Sequence, residues 1–120
     1  MKLIFCLRRN PELSVDEFQL YWLRQHAELL TSLRQAIPSM TKYVQSHTVY
    51  GPLTDAGRAS RGTGEPYDGV AEVWLDMDAD DPNGDTAAAA AMRRLINDEK
   101  TFIDMAHSSI FFTEEHTIFE

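Results

Sequence analysis

Cysteine is nearly absent: Cys6 is the only one in 120 residues, so no intramolecular disulfide is possible and packing alone must hold the chain. Cys6 falls within an apolar run and reads as a small buried side chain rather than a nucleophile. Long hydrophobic runs are also missing. Nothing approaches the roughly 20 apolar residues of a membrane span. The N-terminal run Leu3 to Leu7 is too short for a signal-peptide core, and Arg8 and Arg9 follow it directly. Positive charge is scarce in the second half: residues 68–120 hold thirteen Asp and Glu against three Lys and Arg, within a net charge of −8. Such a chain is a poor ligand for a phosphate backbone or an anionic membrane. The expectation is a cytoplasmic protein with no nucleic-acid or membrane partner. Metal-ligand spacing is lacking too. Asp76 to Asp85 has the Asp density of a calcium loop but neither the glycine nor the closing glutamate at the required positions.

What is present suits one domain over residues 1–120. The composition is 43% hydrophobic and 25% charged, and a chain of this size can bury about two-thirds of its unfolded surface. Ser14 followed by Glu17 is a capping-box signature, with Pro11 just upstream where it interrupts no helical hydrogen bond. At about 100° per residue, Phe18, Trp22, His26, Leu29 and Leu33 share one apolar stripe. His26 interrupts that stripe, and an imidazole is costly to bury without a partner. It is either a core histidine satisfied by a backbone carbonyl or a proton-transfer group at a pocket wall.

Lys2 to Leu7 is short, nearly continuously apolar, and suits a central strand. Thr41 to Val49 alternates, with Tyr43, Gln45, His47 and Val49 on one face. Gly51 to Pro66 is rich in Gly, Ala, Pro, Ser and Thr and reads as a long surface connection; a flap carrying an arginine over a site is the other reading. Val70 to Leu75 is a third strand, and Glu72 in its middle must reach solvent or find a partner. Asp80, Asp81 and Asp85 suit a helix entry. Thr86 to Ile96 is an alanine-rich helix, Asp98 to Met105 a further helical turn, and Ser109 to Phe119 a long final strand whose inward face periodicity leaves open. The order is β-α-β-β-α-β, an α+β, ferredoxin-like arrangement: a four-stranded antiparallel sheet with helices on one face. The other face is bare, exposing residues such as Phe111 or Tyr43, and a homodimer pairing sheet against sheet would cover it.

Leu7 to Pro11 with the following Ser-x-x-Glu, then Tyr21-Trp22-Leu23-Arg24-Gln25-His26-Ala27, resembles the opening of EthD-like proteins. Further matches are Tyr43 to His47, Tyr67 to Trp74, Asp98-Glu99 with Phe102-Ile103-Asp104, and Glu115-His116. The resemblance runs nearly the whole length; the Gly51 to Pro66 insert and the alanine run fall outside it. It implies a dimeric α+β barrel with a small-molecule cleft between sheet and helices. It also implies family histidines at His26 and His47 and a family carboxylate at Glu72.

Three functions follow. The first is a cofactor-free enzyme of isomerase, decarboxylase or dehydratase, or monooxygenase type, acting on a small hydrophobic, aromatic or lactone-like molecule. In it His26 is the general acid or base, His47 or Glu72 orients it or shares its proton, and Tyr21, Trp22, Tyr43 and Trp74 shape the pocket. The sharing requires that the faces bearing His47 and Glu72 point toward the helices. The second is a noncatalytic binder or accessory protein holding a hydrophobic metabolite for an oxygenase partner. The third, a metal held by His26, His47 and Glu72, lacks compact spacing and is set aside.

Overall fold

The runs of β-branched and aromatic residues form four strands: β1 (Lys2–Leu7), β2 (Met40–His47), β3 (Gly69–Leu75) and β4 (Ser109–Thr113). The computed structural model describes residues 1–79 and 84–120. The strands pair antiparallel in the spatial order β2-β3-β1-β4. The near-continuously apolar β1 therefore takes an inner position, as its composition requires. Lys2, the first residue of β1, faces Thr113, the last of β4. Beyond Thr113 the ladder has no strand left to pair with, and this shortens the expected Ser109 to Phe119 strand to five residues.

Among the described residues four α-helices accompany the sheet. α1 (Val15–Tyr21) begins at the capping box, where the Glu17 amide donates to Ser14 Oγ (3.1 Å) and the Ser14 amide to Glu17 Oε1 (2.9 Å). It continues through a π-helical turn (Trp22–His26) into α2 (Ala27–Ser32). α3 (Pro52–Arg61) replaces the loop expected over Gly51 to Pro66. Its signals are in the sequence: Pro52 at the first helical turn, and Gly62 at the end with φ +65°. Arg58 pairs with Glu65 (3.0 Å) beside its own helix and covers no site. α4 (Gly84–Phe102) fuses the alanine-rich helix and the separate turn expected from Asp98, because no Gly or Pro interrupts the chain between Gly84 and Phe102. The acidic helix entry expected from Asp80, Asp81 and Asp85 lies outside the described residues and side chains. Among the described residues no helix is long and apolar enough to cross a membrane.

Among the described residues two core clusters form. Leu7, Phe18, Trp22, Ala71, Phe102 and Ile103 make one; Ile37, Met40, Ala91 and Leu95 make the other. Phe18 enters the first cluster from α1, its ring centroid 5.6 Å from Trp22 and 5.8 Å from Phe102. Strand alternation divides the sheet. Leu3, Phe5, Leu7, Tyr43, Ala71, Val73, Ile110 and Phe112 line the helix side. Lys2, Ile4, Cys6, Val70, Glu72, Trp74 and Phe111 therefore belong to the opposite face. Phe111 stays 45% exposed there, as the bare-face argument expects, whereas Tyr43 turns inward.

Candidate active site between the sheet and the first helical run

Phe18, Trp22 and His26, each four residues apart, are the buried positions of the first helical run. At the π-helical turn the Ala27 amide donates to the Trp22 carbonyl, five residues back. Inserted turns of this kind recur at functional sites, where they re-aim side chains. Beneath Trp22 the sheet presents Gly69. A Cβ at that position would lie 2.4 Å from Trp22 Cζ3, so only glycine lets the indole lie against β3. The indole stacks on His47 (centroids 4.4 Å, 27° between planes) and its Nε1 donates to the Tyr43 hydroxyl (3.2 Å). Gln45 ties the group together, donating to the Trp22 carbonyl (2.8 Å) and the Tyr43 hydroxyl (3.0 Å) and accepting from His47 Nε2 (2.8 Å).

One turn further along, His26 is buried against Phe102, 5.1 Å between centroids. Its Nδ1 lies 2.8 Å from Asp98 Oδ2. An ionised carboxylate only accepts, so Nδ1 carries the proton and the Nε2 lone pair is free in the neutral ring. The Tyr21 hydroxyl donates to the other oxygen of Asp98, which fixes that carboxylate and raises the tyrosine's own pKa. Nε2 faces Glu99 Oε2 at 3.7 Å, too far for a direct hydrogen bond. Burial, with the Asp98 charge as a second cause, pushes the Glu99 carboxyl up to about 7. A base and an acid that still holds its proton near neutrality thus stand side by side.

Both face a cavity of about 380 Å³, bordered by the two core clusters. Its wall is mostly aliphatic and aromatic, and its polar side chains are Ser39, Tyr43, His26 and Glu99. Small-molecule sites have this size and this ratio of apolar wall to placed polar groups.

His26, Trp22 and Tyr43 line the cavity. His47 meets the condition of facing the helices, but it lies on the far side of Trp22 and reaches the site through that ring and Gln45. Tyr21 also acts from behind, through Asp98. Glu72 and Trp74 do not join them. With Ala71 and Val73 pointing inward, the period of two turns Glu72 and Trp74 to the opposite face. There Glu72 meets Lys2 Nζ at 2.7 Å, and Trp74 Nε1 donates to Glu115 at 2.7 Å with the ammonium groups of Lys2 and Lys42 over its ring. Glu72 therefore shares no proton with His26, and His26, His47 and Glu72 form no common ligand set. The carboxylates that do meet His26 are Asp98 and Glu99, which belong to an EthD-like motif but are not among the residues expected at the site. The signal was available: Leu95, Glu99 and Phe102 make an apolar helical stripe interrupted by an acid, as His26 interrupts its own.

Residues 10–106 match the EthD domain. No match to a curated protein was found. Among solved structures, an EthD family protein from Bacillus halodurans is similar at 18% identity, with 96% of this chain and 97% of that one covered and a TM-score of 0.57. A dimeric ferredoxin-like protein of unknown function from Thermobifida fusca is similar at 16% identity, covering 92% and 85%, with a TM-score of 0.50. HapK from Hahella chejuensis is similar at 11% identity, covering 100% and 99%, with a TM-score of 0.52. These structural likenesses carry the ferredoxin-like α+β fold, and the domain match spans most of the sequence. The chain belongs to the EthD domain family.

Proposed function

We propose that this protein is a cofactor-free enzyme that moves a proton on a small hydrophobic, aromatic or lactone-like molecule held between the sheet and the helices. The observation that carries the reading is the pair His26 Nε2 and Glu99 Oε2, 3.7 Å apart on the wall of a largely apolar cavity. His26 takes a proton from a carbon or hydroxyl acidified by a neighbouring carbonyl. Asp98 holds the ring in the tautomer that leaves Nε2 free and stabilises the imidazolium that forms. Glu99 returns a proton to a second atom of the substrate, and the pair resets by passing the proton from Nε2 back to the carboxylate. Isomerase, dehydratase and decarboxylase chemistries all draw on such a pair. Trp22 and Tyr43 shape the cavity; His47 supports Trp22 from behind, and Tyr21 supports Asp98.

A homodimer formed through the sheet face bearing Cys6, Val70 and Phe111 belongs to the same proposal. Its support is the exposed Phe111 and the likeness to a dimeric ferredoxin-like protein.

The test is deuterium exchange. An enolisable aryl ketone such as 2-tetralone, with a panel of aryl lactones, is incubated with the protein in D2O and followed by proton NMR. Exchange accelerated by the native protein and lost in His26→Gln supports the proposal. Tight binding across the panel without exchange would favour the noncatalytic, metabolite-holding reading, for which the largely apolar wall is the specific support.

A further inference from the structure

We infer that Glu99 makes the cavity selective for uncharged ligands, so that it accepts a neutral aryl ketone, ester, lactone or phenol and turns away a carboxylate of the same shape. The inference rests on the reading of the cavity as a ligand site. Of the chain's eleven Lys and Arg residues, none lines the cavity. A carboxylate entering it would lose its water and find no resident cation to replace it, which costs far more than burying the apolar body gains. His26 is the one side chain there that can become positive. Its two ring nitrogens already face carboxylates, Asp98 at 2.8 Å and Glu99 at 3.7 Å, so its charge is matched before an anion arrives. Once ionised, Glu99 adds direct repulsion at the polar end of the site.

Surrounding elements leave this arrangement uncompensated. The titratable groups that face Glu99 are Asp98 on its own helix, His26 from the π-helical turn and Tyr43 from β2. The sheet contributes Leu3, Phe5, Ala71, Ile110 and Phe112 to the cavity wall, none of them charged. Arg34 and Lys42 line a neighbouring groove that shares Leu30, Met40 and Tyr43 with the cavity but lies outside it. A neutral ligand meets no such penalty, and a carbonyl or hydroxyl oxygen on it can bond to His26, Glu99 or Tyr43. The device is therefore a filter on charge, separate from the proton transfer itself.

Methyl 2-naphthoate and 2-naphthoate share one ring system and differ in charge, which makes them suitable probes for calorimetric titration of the full-length protein at about pH 8. The expected result is an ester bound at least about ten-fold more tightly than the acid, a gap that Glu99→Gln narrows several-fold by strengthening binding of the acid. Titration of the native protein with 2-naphthoate at about pH 5.5, where the probe is still ionised and Glu99 is not, serves as a second measurement without any substitution. Its affinity should rise there by a similar factor. Equal affinities for the two probes, or a gap unchanged by both the substitution and the lower pH, would overturn the charge filter and leave the cavity reading in place. Binding of neither probe would overturn both together.

Discussion

At the scale of single residues, the decisive contact is His26 Nδ1 to Asp98 Oδ2, because it sets which ring nitrogen is free. Asp98→Asn keeps the shape but can offer an N–H to the ring, which moves the imidazole proton to Nε2 and removes the base from the cavity. Exchange of the ketone proton should fall by roughly 10²-fold or more, with a melting temperature within a few degrees of the native one. A variant that retained full exchange would show that the tautomer is irrelevant. Glu99 gives a stability prediction of definite sign. Its folded pKa, about 7, lies above the ordinary 4.5, so the native state holds the proton more tightly than the unfolded chain does. The penalty for ionising it is absent below 4.5, grows as pH rises toward about 7, and is constant above. Glu99→Gln should therefore stabilise the protein at about pH 8, by at most roughly 3 kcal/mol, and have little effect at about pH 4. Denaturant melts at the two pH values check this; a larger gain at the acidic value would reverse the assignment.

At the scale of elements, the site depends on how closely the π-helical turn approaches β3. Asp68 fixes the chain just before that strand: it is buried, accepts from the Arg9 amide at 2.8 Å, and is bonded by the Tyr50 hydroxyl. Gly69 follows, with the Trp22 ring where its side chain would be. Gly69→Ala should push Trp22 off His47, cost roughly 1–3 kcal/mol by overpacking, and weaken ligand binding although residue 69 touches no ligand. Thermal melting and Trp fluorescence report the two effects separately. An alanine variant as stable as the native protein, with unchanged fluorescence, would mean that the indole has room to spare. The same element logic explains α3. Pro52 and Gly62 bound a ten-residue helix whose composition reads as loop, because caps act locally while a search for an apolar stripe finds little there.

At the scale of the whole molecule, α2 and α4 lie over one face of the sheet, and the opposite face carries the chain's only cysteine. Pairing two copies through that face should give a particle of twice 13.7 kDa in light scattering at micromolar concentration. A mass of 13.7 kDa would defeat the homodimer. Cys6 reports on the same event. It is only partly buried within one chain, and burial raises its thiol pKa. Labelling by a thiol reagent should be slow when two copies are paired and should accelerate on dilution to single chains. Rapid labelling that is independent of concentration would place the interface elsewhere.

Sequence alone determined what local rules can determine. The capping box starts the first helix, periods of two and of 3.6 give the strands and the buried stripe, and strand order with the EthD-like motifs gives the ferredoxin-like sheet. His26 was legible because a polar group in an apolar stripe is conspicuous at any level of description. Tertiary structure decided which groups meet it. Glu72 and His47 both lie in alternating strands, and a period of two says that faces differ without saying which face turns inward. Asp98 and Glu99 lie more than seventy residues from His26, and only the packing of α4 against the π-helical turn brings them to its two nitrogens. The length of the last strand was fixed in the same way, since a strand ends where its partner does. Hydrogen bonds within an element follow from neighbours in sequence, whereas the partners of a buried charge are chosen by the fold.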